Sequence, residues 1–193
     1  MDKKLSLSSS VLVTIASLLL FASLYFPWWG MQFIAPQYPE GLDIIVYPHK
    51  LEGQVDIING LNHYIGMKEF SEKNFPELNY LPYVIAGLAL LVLISGWWRR
   101  WKGLAAVAML YAVGGVLGIY DIHRWLRDFG MNLDPRAPIK IDPFVPPVYG
   151  ENQIANFITY SYFSIGSFLL GASFLIILWV LWKEWQTCSR KAS

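Results

Sequence analysis

Between Lys4 and Glu40 the chain carries no Asp, Glu, Lys or Arg. Charged residues make up only 15% of the 193, against about 25% in an average soluble domain. Cysteine is scarcer still. The one cysteine, Cys188, excludes a c-type haem motif, a Cys-ligated cluster and a dinuclear copper–thiolate centre. The three histidines, His49, His63 and His123, all fall outside the long apolar runs, so a bis-His haem within a membrane has no ligands and no haem is expected. No acid or base interrupts those runs, which excludes a visible charged relay. A Gly-rich phosphate loop, a nucleophile or metal motif and a basic nucleic-acid face are also missing. An independent enzyme or a nucleic-acid binder is therefore not expected.

Apolar length is what the chain has. The uncharged runs at 5–26, 81–98, 103–120 and 157–182 each approach or exceed the roughly 20 residues that span a bilayer. They predict an all-α integral membrane protein, a four-helix transmembrane bundle. The first run is too long for a signal-peptide core and ends in "YFPWWG", not a small-residue cleavage site, so it reads as a retained span. Pro27 is expected to end that helix, because it lacks a backbone donor.

Basic residues set the orientation. Lys3, Lys4, Arg99, Arg100, Lys102, Lys183, Arg190 and Lys191 flank the runs at both termini and the short loop, opposed there only by Asp2 and Glu184. The longer stretches 30–80 and 121–156 carry twelve acids and seven bases. The positive-inside rule then places both termini in the cytoplasm and segments 27–80 and 121–156 outside the cytoplasmic membrane. The tryptophans, nine in all, cluster near the ends of the runs, as interface anchors do.

Those two outer segments predict a small extracytoplasmic α+β cap. "LDIIVYPHK" and "QVDII", separated by "LEG", read as two β-rich stretches around a turn. "NGLNHYIGMKEF" (59–70) reads as a short helix with Asn59 near its start. The third run is expected to continue outward through "DIHRWLRDFG" and to stop at Gly130. The strip "DPRAPIKIDPFVPPVYG" is expected to be extended and to lie against something else. Gly114 and Gly118 form a GxxxG pair, which reads first as packing within the bundle and second as a partner-helix or homo-oligomer seam.

Three sets of residues are candidates for chemistry. His63 and Met67 stand four apart, on one side of a helix, and form a soft pair for copper if His123, Met131 or His49 converges on them. A solvated His and a buried Met are the competing structural account. A quinol slot at the outer membrane surface could use Asp121, His123 and Arg124, lined by Trp28, Trp29 or Trp125. The third set is a recognition surface built on "LNHYIGM" and the proline strip.

The strings "APQYPEGLDIIVYPHKLEG" and "INGLNHYIGM", with the order of the spans, resemble the NosB family, four-helix membrane proteins associated with clade II (atypical) nitrous-oxide reductases. The resemblance implies a non-catalytic partner of a periplasmic copper enzyme of denitrification. It would serve as a membrane anchor, as a path for electron transfer from the quinol pool, or as a copper-handling assembly factor. The resemblance carries over no residues; the small cap, "LNHYIGM" and the proline strip themselves make Pro36, Tyr38, Pro39, Asn62, Tyr64, Ile65, Pro146 and Pro147 the candidate docking residues.

Overall fold

A computed structural model of the chain describes residues 4–154 and 157–192. Asp2 and Lys3, two of the charges that flank the first apolar run, lie outside the described residues, as do the side chains of Cys188, Arg190 and Lys191. The fold is mostly helical with one small antiparallel sheet, and three of its helices are long and apolar enough to cross a membrane. In chain order the elements are α1 (Leu7–Ser23), β1 (Trp29–Ala35), β2 (Tyr38–Val46), β3 (Leu51–Gly53) and α2 (Val55–Ile65). After a 3-10 turn at Glu72–Asn74 come α3 (Glu77–Trp98), α4 (Trp101–Met131), β4 (Gly150–Ile154), β5 (Phe157–Phe163) and α5 (Ile165–Ala192).

α1 is the central strut. Ser6 caps it, accepting from the Ser9 amide. Its buried face, Ser9, Val13, Ala16, Ser17, Leu20 and Ser23, recurs every three or four residues and is small enough for close approach. Ser17 donates to the Ala89 carbonyl of α3 at 2.9 Å, and Ser173 of α5 donates to Ala16 at 2.8 Å. Gly96 of α3 leaves only 2.7 Å between a hypothetical Cβ and Val13. At the lower end, buried Glu184 of α5 accepts from the Ser6 amide and the Ser9 hydroxyl. Leu5 and Arg99 exchange two further bonds, so the N-terminal segment, the α3–α4 turn and α5 are tied at one level.

α4 behaves differently. It packs on the others through Leu104, Ala108 and Tyr111, whose hydroxyl donates to the Leu170 carbonyl at 2.9 Å. From Ala112 to Tyr120 every residue is exposed. A Cβ on Gly114, Gly115 or Gly118 would have nothing within 4 Å. The GxxxG pair therefore does not pack within the bundle, because α4 stands clear of its neighbours at that height. α4 is buried again at Leu126, Phe129 and Gly130, beyond the apolar run, and stops one residue after the expected Gly130.

The sheet has strand order β3-β2-β1-β5-β4. Two sequence expectations fail here. Residues 157–163, assigned to the fourth apolar run, form strand β5, and the helix begins only at Ile165. "FITYSYF" is rich in β-branched and aromatic residues and alternates between two environments, which suits a strand paired on both sides. "QVDII" opens helix α2 and is not a strand; "LEG" itself is β3. Asp56 favours the helix start through the dipole, and Ile58, Asn62 and Ile65 give the buried face a helical period. Asn59 lies within the helix. Its side chain both donates to and accepts from the backbone of Phe70, at 2.8 and 2.7 Å, and so pins the chain that leaves α2.

One face of the sheet, with Trp29, Met31, Phe33, Leu42 and Ile44, packs on Ile58, Ile65 and Met67 and on α4 through Leu126 and Phe129. Phe129 stacks on Phe70 at 4.7 Å and on Phe75 at 5.7 Å. The proline strip lies on this same body. Ile139 donates to the Tyr64 carbonyl, Asp134 to Gly66 and Phe144 to Gly130. Gly66 (φ 78°) ends α2 in the left-handed region and leaves no room for a Cβ beside Asp134.

Candidate functional site

The residues expected to dock a partner divide in two. Asn62, Ile65 and Pro146 are buried in the body that carries the sheet. Pro36 and Pro39 are exposed at the β1–β2 hairpin tip beside half-buried Tyr38, Pro147 is half-buried, and Tyr64 is exposed. The tip is a two-residue loop, with Ala35 paired to Tyr38 and a register shift after Phe33.

A larger surface went unnoticed in the sequence, the second face of the sheet. Strand alternation and register put Gln32 and Ile34 of β1, Asp43 and Ile45 of β2, Ile158, Tyr160 and Tyr162 of β5 and Glu151 of β4 on one side. Tyr160 and Tyr162 lie 6.4 Å apart with nearly parallel rings, and Gly30 makes room for the Tyr162 ring. Burial, with Asp43 nearby, raises the Tyr162 hydroxyl pKa above its ordinary value. Tyr160 is 42% exposed and Ile158 36%, and Glu151 is exposed. Large aromatic rings with polar tips, set on a rigid sheet and bordered by acids, can bury area against a partner at little entropic cost. The signal was the period-2 pattern in "FITYSYF", hidden by its continuity with an apolar helix.

The copper candidates stand in different environments, and Met67 lies beyond the end of α2 at Ile65. His63 is exposed, whereas Met67 is 8% exposed within the sheet-bearing core. His49 and His123 are each exposed, the latter on α4, and Met131 is exposed at the end of α4. Among the described residues no three His, Cys, Asp or Glu gather as a metal-holding group.

The quinol candidates are partly assembled. The Trp28 indole donates to the Ser23 carbonyl at 2.8 Å, and its own carbonyl accepts from Ser164 and Ser167, joining α1 to α5. Trp29 is buried and donates to Val148 at 2.8 Å. Both indole N–H groups are thus already engaged. Asp121, Arg124 and Trp125 do meet: Arg124 Nε donates to Asp121 at 3.0 Å, and the guanidinium lies 4.8 Å from the Trp125 ring centroid. The third partner, Glu77, was not foreseen; it accepts from Arg124 at 2.6 Å, across 47 positions of sequence.

Two other ion pairs are local. Lys50 and Glu52 bond across the start of β3; their hydrogen bond raises the lysine pKa and lowers the glutamate's. The Arg136 amide, then its guanidinium, holds Asp134 below the ordinary carboxylate range. No family model and no curated protein matches this chain.

Proposed function

We propose that the protein is a membrane accessory subunit that docks a periplasmic copper redox enzyme. α1, α3, α4 and α5 cross the cytoplasmic membrane as four spans, with both termini cytoplasmic and the sheet-bearing body outside as a cap. The 17-residue α1 is lengthened to a full span by the uncharged residues on either side of it. The observation that carries this reading is the second face of the sheet, with Tyr160 and Ile158 exposed beside Asp43 and Glu151. The partner implied by the sequence resemblance is a nitrous-oxide reductase. An excess of acids in the outer segments, twelve against seven bases, suits a partner with a basic contact patch. The chain lends the copper enzyme position beside the membrane, within reach of electrons from the quinol pool. Copper handling by His63 and Met67 is the alternative, and it gains nothing from one donor in solvent and one in the core.

The test is binding of the purified copper reductase to the full chain in detergent, measured by biolayer interferometry. Tyr160→Ala and Glu151→Lys should each weaken binding about tenfold, and added salt should weaken the native pair. Equal affinity of both variants and the native protein would refute the proposed face.

A further inference from the structure

Among the described residues, two polar atoms beside Arg124 have no hydrogen-bond partner. Glu77 uses Oε1 to accept from Arg124, while its Oε2 is shut off from solvent and unpartnered. Trp125 Nε1 is likewise closed off and unpartnered. An open acceptor and an open donor thus flank one guanidinium, and burying either unmade bond is costly. A hydroxyl has the chemistry that each atom needs, because an O–H donates to a carboxylate and its lone pair accepts from an indole. An anion does not fit, since it would meet Glu77 and find Arg124 already shared between Glu77 and Asp121. An ammonium has no lone pair for the indole.

The surroundings say what carries that hydroxyl. Exposed Tyr80, Tyr83 and Tyr120 lie close in sequence to these groups, as an interfacial belt would. On the apolar side of Arg124, α4 is exposed on all sides from Ala112 to Tyr120, with open space around its glycines. That leaves room for an apolar chain along the helix.

We propose that Glu77 and Trp125 form the head-group site for a neutral, lipid-soluble molecule bearing a hydroxyl, its tail lying beside α4. The half-exposed Arg124 is the cover that swings to admit the head. Two membrane sources share this chemistry, a quinol and a diacylglycerol. The proposal stands independently of the docked enzyme, since it concerns the isolated chain.

The experiment is native mass spectrometry of the full chain in mild detergent, titrated with decylubiquinol or with dioctanoylglycerol. Trp125→Phe keeps an aromatic ring and removes the N–H together with the five-membered half of the indole; Glu77→Gln keeps the volume and removes the charge. Each should weaken one saturable complex about tenfold, while Lys140→Ala, exposed on the proline strip, leaves it unchanged. Loss confined to decylubiquinol assigns a quinol, and loss confined to dioctanoylglycerol assigns a glycerolipid. Non-saturating binding of both, or equal affinity in properly folded Trp125→Phe, overturns the proposal and leaves water as the partner of these atoms.

Discussion

α1, α3 and α5 are joined along their lengths, whereas α4 is held at its ends. The difference is not one of composition, since both regions are rich in small residues. In the first, Gly96 meets Val13 and two serines donate across helices; in the second, Gly114 and Gly118 face open space. A small residue permits close packing but does not cause it. What fixes α4 is Tyr111 below and the aromatic stack on Phe129 above.

The largest expected effect follows from removing the upper anchor. Phe129 is 1% exposed and touches Phe70, Phe75 and Trp125. Phe129→Ala should cost about 3–5 kcal/mol and loosen the sheet-bearing body from α4. Chemical unfolding in detergent, followed by near-UV circular dichroism, measures this; an unshifted midpoint would mean that α4 is held elsewhere.

A glycine pair tests the comparison directly. Gly96→Val puts methyl groups against Val13 and should destabilise by about 1–3 kcal/mol. Gly118→Val has open space and should stay within about 0.5 kcal/mol of the native protein. Thermal melts of the two variants side by side decide it. Equal losses would show that α4's glycines are also packed, against a partner or a second copy.

The hydroxyls contribute less. Ser17→Ala and Ser173→Ala should each lose about 0.6 kcal/mol, the mean for interhelical hydrogen bonds in a membrane. The same melts read this out, and a change above about 2 kcal/mol would point to a cavity as well as a lost bond.

The apolar runs were legible because burying so many uncharged residues leaves few alternatives. Their boundaries were not. "FITYSYF" is uncharged like α5, yet its Thr159 and Ser161 face the buried side of a paired strand, and only pairing with β1 reveals that. "QVDII" is β-branched enough for a strand, but the chain uses Gln54 to bond the Asp43 amide and then turns into α2. In the same way, Arg124 and Trp125 could be singled out as neighbours in sequence, whereas Glu77 joins them only when the start of α3 meets the outer half of α4. Local pattern reaches a contact three residues away, not one 47 away.

The smallest effect concerns the strip that lies on the sheet-bearing body and leaves the helices untouched. Asp134 has a pKa below its ordinary value of 3.8, chiefly because the Arg136 amide donates to its carboxylate. A carboxylate depressed on folding stabilises the folded strip above the unfolded value, and that contribution is lost as pH falls through the lower, folded value. Asp134 also donates its amide to Gly66, and its carbonyl accepts from Ala137, so the turn it shapes seats the strip on the end of α2. Hydrogen-exchange protection at Ala137 should therefore hold from pH 6 down to the ordinary carboxylate value and decline below it. Asp134→Asn should remove that pH dependence, while protection in α1 stays constant over the same range. Parallel losses in α1 and in the strip would instead mean that acid unfolds the protein as one unit, and that the strip has no stability of its own to lose.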